Sequence, residues 1–159
     1  MPNAIDMRGD GGRGPGARRA FIVLWAAVTL LKLAVATRLP LFVDEAFYWQ
    51  EGQHLAWAYS DLPGLTAWLI RLGVEVAGNS HFGARLPFLL MGAALPWMMV
   101  AIVRREFGDG SAPWLAGSAT VLLPLAGTLG IMALPDVPMA LATMLCIDAG
   151  ARLLRGVDH

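Results

Sequence analysis

The chain has 159 residues, 57% of them hydrophobic and 15% charged, with a mean hydropathy of +0.57. That is more apolar material than one soluble core of this length requires, which excludes a simple soluble domain and points to an all-α polytopic membrane protein. Twelve basic and twelve acidic residues cancel, so net charge offers no argument for a nucleic-acid partner, and the single Cys146 has no internal disulfide partner.

Residues 1–19 are rich in glycine and carry Arg8, Arg13, Arg18 and Arg19 with almost nothing to bury, which predicts a disordered basic tail. The apolar run that follows has no small-residue cleavage site after it and reads as a retained span over residues 20–39. At 1.5 Å per residue it reaches roughly 30 Å, the thickness of the hydrocarbon layer. Further spans are expected over 86–103, 113–131 and 137–154, giving about four crossings with both termini on one side. Pro96 and Pro124 fall inside two of them and predict kinks. Gly117, Ala119, Thr120, Gly127 and Gly130 give the third span a small-residue face for close packing.

Charge placement fits that topology. Arg8, Arg13, Arg18, Arg19, Arg104, Arg105, Arg152 and Arg155 all fall on the side of the termini, which marks it as cytoplasmic. Asp44, Glu45, Glu51, Asp61, Glu75 and Asp136 fall on the other side, in the outer segment 40–85 and the turn at Pro135-Asp136. That outer segment predicts two juxtamembrane helices lying in the membrane interface. The first starts at Asp44 as its cap and carries Tyr48, Gly52, Leu55 and Tyr59 at helical spacing. The second follows Pro63-Gly64, has a Leu65, Leu69, Leu72, Val76 stripe, pairs Arg71 with Glu75 and stops at Gly78-Asn79.

Within this frame the stretch LFVDEAFYWQEGQHLAWAYSDLPGLTAWLIRLG, followed by ARLPFLL and ALPDVPM, resembles the start of glycosyltransferase family 39. That family includes protein O-mannosyltransferases and the lipid A aminoarabinose transferase, within the C-type membrane glycosyltransferase superfamily. The resemblance implies transfer of a sugar from a polyprenyl-phosphate donor to a glycan, lipid or protein acceptor at the outer face of a bacterial inner membrane. It places the acidic pair Asp44-Glu45 at the active site, with Tyr59, Asp61 and Pro63 as a second element and Pro135-Asp136 as a third. Where relatives commonly read DHPP, this chain has Asp61-Leu62-Pro63-Gly64 and lacks the histidine. Relatives also continue through many more spans, so the chain reads as the N-terminal part of such an enzyme.

The residues themselves suit that chemistry. Attack of a hydroxyl on an anomeric carbon needs a base on one face while phosphate leaves from the other. Asp44 is the expected base and Asp136 its support; Glu45, about 100° away on a helix, orients a partner or contributes to a metal or substrate site. Arg71 and Arg85 are candidates for the donor phosphate, as is Lys32 from the first span, with Tyr48, Tyr59 and Asp61 in the substrate site. Each has a structural alternative: Asp44 as a helix cap, Arg71 as the partner of Glu75, Arg85 as an interfacial anchor, Asp136 as a helix-starting cap and Lys32 as a snorkelling cation. Asp148 is expected to pair with Arg152. His54 and His81 lack partners at metal-ligand spacing, so no metal ligand is assigned, and a divalent-metal requirement stays open. A transporter or flippase is the alternative function, which would gather charges near the midplane; a non-catalytic membrane adaptor is the third.

Overall fold

A computed structural model describes residues 14–59, 63–123 and 129–157. Its elements are helices α1 (Gly14–Arg38), α2 (Val43–Glu51), α3 (Leu65–Ala77), α4 (His81–Phe107) and α5 (Ala112–Leu122), a 3₁₀ turn (Leu129–Ile131), and α6 (Asp136–Val157). Three of these, α1, α4 and α6, are long and apolar enough to cross a membrane. At 25, 27 and 22 residues they run roughly 33–40 Å, and most of their surface faces outward, as lipid-facing helices require. The chain is a multi-pass membrane protein.

Helix α1 begins at Gly14, six residues before the expected span, so residues 14–19 are helical where a disordered tail was expected. The reason lies in what this turn meets: Gly14 abuts the Asp109-Gly110 backbone, and the Arg18 guanidinium stacks 5.6 Å from the centre of the Trp114 ring. Residues 1–13, with Arg8 and Arg13, lie outside the described residues.

The expected third span differs more. Helix α5 has 11 residues, about 16 Å, too short to cross alone. Residues 124–128, with Pro124 and Gly127, lie outside the described residues. The two described parts of this stretch meet α4 at different levels, one toward its C-terminal end and the other near its middle. Gly117 packs on Val100 and Phe21, whereas Gly130 packs on Gly92 and Ala133 reaches Glu45. The described residues of this stretch are a short helix and a 3₁₀ turn. Pro87 and Pro96 both lie inside the continuous α4. Pro96 has no amide hydrogen for the Gly92 carbonyl, and at this turn the Trp25 indole N–H donates across to the Ala93 carbonyl at 2.9 Å.

Each of the two helices expected in the outer segment has a counterpart, although the first stops at Glu51 and leaves Leu55 and Tyr59 in the loop that follows. The second spans Leu65–Ala77 and ends at Gly78, whose φ of 86° needs a glycine. The first begins one residue before Asp44, and Phe42 occupies the cap position assigned to Asp44. Asp44 instead sits in the first turn, where its charge complements the helix dipole. Helix α3 lies against the start of α4 at close range: a Cβ on Gly73 would collide with the Gly83 carbonyl and come within 2.6 Å of the Pro87 ring.

Two buried clusters hold the bundle. Tyr48, Ile70, Ala84, Phe88, Ala133 and Val137 join α2, α3, α4 and the start of α6 at one end. Phe21, Val100 and Val121 join α1, α4 and α5 at the other, ringed by Trp25 and Trp114. The substitution Gly73→Ala should destabilise the fold by about 1–3 kcal/mol, because the obstacle is backbone and cannot turn away. Gly150→Ala, with nothing within 4 Å of the added carbon, should leave thermal unfolding in detergent micelles unchanged or slightly raised.

Candidate functional site

The adjacent carboxylates of α2 face different surroundings. One helical step rotates a side chain by about 100°, so burial of one exposes its neighbour. Glu45 is fully buried, and Asp44 is exposed and makes no hydrogen bond or ion pair with another described residue.

Glu45 is completely engaged. Its Oε1 accepts from Arg85 Nε at 2.8 Å and from the Ala133 amide at 2.8 Å. Its Oε2 accepts from Arg85 Nη2 at 2.5 Å and from the Phe42 amide at 2.9 Å. The carboxylate thus closes its own helix at Phe42 and fastens it to α4 and to the turn preceding α6. Burial alone pushes the Glu45 carboxyl up. The hydrogen bonds from Arg85, Ala133 and Phe42, with the guanidinium charge, outweigh burial and hold it below the usual carboxylate range.

Arg85 is equally saturated. Besides its two bonds to Glu45, Nη1 donates to the carbonyls of Ala36 (3.2 Å) and Leu39 (2.9 Å), and Nη2 to that of Pro40 (2.9 Å). All five guanidinium hydrogens are used. The expectation that Arg85 binds a donor phosphate is therefore corrected: at 1% exposure with no donor to spare, it ties the end of α1 to α2 instead.

Asp136 opens α6 at the same end of the bundle as Asp44. The Glu45–Ala133 bond and the packing of Val137 in the cluster with Tyr48 bring the two acidic segments together. Asp136 also edges a cavity of about 180 Å³ between α4, α5 and α6, lined mainly by apolar residues such as Leu95, Met99 and Met144.

The remaining residues divide. Tyr48 is a buried member of the cluster that joins α2 to α3 and α4. The Tyr59 hydroxyl ties the loop after α2 together, accepting from the Ala56 amide at 3.1 Å and lying 3.0 Å from the carbonyls of Glu51 and His54. Asp61 lies outside the described residues. Arg71 pairs with Glu75 at 2.7 Å on the exposed side of α3. Lys32 lines a cavity of about 110 Å³ between α1 and α4, and its ammonium lies over Gly130, where an added Cβ would stand 2.8 Å from Nζ. Asp148 pairs with Arg152 at 2.8 Å and also with Arg105 at 2.6 Å, fastening α6 to the far end of α4. Among the described residues no three His, Cys, Asp or Glu side chains gather as a metal site.

The sequence reading missed the Ala133 amide and the carbonyls of Ala36, Leu39 and Pro40. Backbone groups have no residue signature, and only the ARLP segment beside an acidic pair hinted at a partner for Glu45.

Removing one member of the buried pair should cost about 3–5 kcal/mol, since the other charge stays buried without its partner. Glu45→Gln and Arg85→Met should each lower the unfolding temperature in micelles, and the double variant should lose less than the two losses added. Because the folded Glu45 carboxyl is depressed, its contribution is present above the unfolded carboxyl range. It is lost as pH falls through the lower folded value, and Glu45→Gln should flatten that acid limb.

Comparison with known proteins bears on the same segments. The family described as dolichyl-phosphate-mannose-protein mannosyltransferase matches residues 61–156, which include α3, α4, α5 and α6 and leave out α2. The lipid A galacturonosyltransferase RgtD of Rhizobium johnstonii is 38% identical over 86 residues, covering 52% of this chain and 18% of that protein. The chain thus matches less than a fifth of the length of that relative. No solved structure matches. With most of its length inside the family match, the chain belongs to the dolichyl-phosphate-mannose-protein mannosyltransferase family.

Proposed function

We propose that the protein is a membrane glycosyltransferase that moves a sugar from a polyprenyl-phosphate donor to an acceptor at the periplasmic face of the bacterial inner membrane, with Asp44 as general base. The observation that carries this reading is the division between the two adjacent carboxylates. Glu45 is consumed by four hydrogen bonds, and its neighbour is left exposed at the bundle end where Asp136 also emerges. A base must reach its substrate and hold a lone pair free, which Asp44 does and Glu45 does not.

In this reading the acceptor hydroxyl gives its proton to Asp44 as its oxygen attacks the anomeric carbon, and the lipid phosphate leaves on the opposite face. Glu45 and Arg85 fix the first turn of α2, so Asp44 is held on a helix packed by Tyr48. Asp136 orients the acceptor or the base. Arg71 supplies charge toward the donor phosphate by exchanging its exposed bond to Glu75, and Lys32 serves the same phosphate from the first span. The apolar cavity below Asp136 suits part of an isoprenoid chain.

A transporter would need its charges gathered at mid-membrane. Here Asp44 and Asp136 stand at one end of the bundle, and the carboxylates farther along the spans, Glu106 and Asp148, are tied to Arg105, Arg152 and Arg155. The family membership likewise favours transfer.

Asp44→Asn should reduce sugar transfer from polyprenyl-phosphate donors by about 10²–10⁴-fold in membranes at matched protein abundance, with donor binding retained. Unchanged transfer would remove Asp44 from catalysis.

A further inference from the structure

The end of the bundle remote from Asp44 holds a second constellation that sugar transfer does not use. The start of α1, the end of α4 and the turn before α5 enclose an open cleft of about 1110 Å³. Its walls carry Arg18, Arg19 and Arg104, one acid, Asp109, and the indoles of Trp97 and Trp114. Asp109 is paired with Arg104. Arg18 and Arg19 have no carboxylate partner among the described residues, so the cleft keeps an uncompensated charge of about two.

The walls are preorganised. Phe21 is fully buried and meets Trp97 edge-on at 4.9 Å and Trp114 at 5.8 Å, and Trp25 meets Trp97 at 5.5 Å. The Trp114 ring in turn carries the Arg18 guanidinium on its face, which leaves the N–H edges of that group free to donate. Beside the charged floor, Ile22 lines the cleft and Val23 of the next position is 68% exposed. The cleft therefore sits where two spanning helices leave the apolar layer, cationic on one side and apolar on the other.

We propose that this cleft binds the headgroup of an anionic phospholipid, with Arg18 and Arg19 on the phosphodiester, Trp97 and Trp114 at the glycerol level, and an acyl chain along Ile22. A phosphodiester carries one negative charge and accepts bidentate guanidinium bonds, offsetting about half of the positive charge that Arg104–Asp109 pairing leaves over. A free phosphate would gain nothing from the apolar wall. The excess of arginine at this end, against the exposed carboxylates at the other, places the site in the leaflet opposite to Asp44.

The test uses the protein in nanodiscs of equal phosphatidylglycerol and phosphatidylcholine, with retained lipid counted by native mass spectrometry. Phosphatidylglycerol should be enriched several-fold over phosphatidylcholine. The double variant Arg18→Gln, Arg19→Gln should lose that enrichment, bringing the ratio of the two lipids to about one. The double lysine variant should keep most of it, and Arg38→Gln, at the far end of α1, should keep all of it. Removal of residues 1–12 should leave it intact. Equal retention of both lipids by the wild type, an unchanged ratio in the glutamine variant, loss on removing residues 1–12, or displacement of the lipid by millimolar inorganic phosphate would overturn the proposal.

Discussion

A single buried ion pair sets the geometry on which the outer end of this protein depends. Glu45 and Arg85 are 40 positions apart and both are removed from solvent. Such a pair is costly to desolvate, and it persists because every remaining lone pair and hydrogen finds a partner. The partners are backbone groups from the end of α1, the start of α2 and the turn before α6. One carboxylate and one guanidinium therefore fasten four chain segments beside the apolar cluster of Tyr48, Ile70, Phe88 and Val137. In a membrane protein this matters more than in water, because spanning helices gain little from burying apolar surface against each other when lipid is as apolar as they are.

The same pair explains why two adjacent acids behave as unlike groups. Local helix geometry turns their side chains about 100° apart, and the inward site consumes whichever acid faces it. The neighbour at position 44 is thereby pointed outward on a helix whose first turn is fixed at both Phe42 and Ala133. The far end uses charge differently. Arg105, Glu106, Asp148, Arg152 and Arg155 form partly exposed ion pairs that clamp α4 to α6, while Arg18 and Arg19 have no carboxylate partner among the described residues and stand beside an aromatic wall. The end near Asp44 combines a saturated buried pair with an apolar cluster, and the other carries a network of partly wet pairs.

Much of this was legible in the sequence, and what was not has physical causes. The apolar runs that become α1, α4 and α6, the two helices in the outer segment, the Gly78 stop and the Asp148–Arg152 pair follow from periodicity and spacing. The family was legible as a resemblance, carried by DEAFYW with RLP and PDVP, of which the last two lie inside the family match. Three features resisted. The start of α1 depended on tertiary contacts of Gly14 and Arg18 with a turn some 95 residues later in the chain. The uninterrupted third span looked plausible because composition alone does not say where a helix ends, and α5 stops at Leu122 just before Pro124. The role of Arg85 was hidden because an interfacial arginine and a buried one have the same sequence surroundings. Only the carbonyls of Ala36, Leu39 and Pro40 distinguish them.

Amide hydrogen exchange at Phe42 and Ala133 tests the central claim most directly, because both amides donate to the Glu45 carboxylate. The ion-pair account predicts that both exchange slowly in the wild-type protein in micelles, remain slow in Asp44→Asn, and accelerate together in Glu45→Gln. Rapid exchange in the wild type, or acceleration in Asp44→Asn to the same degree as in Glu45→Gln, would contradict the division of the two carboxylates into one that holds the structure and one that is free to act.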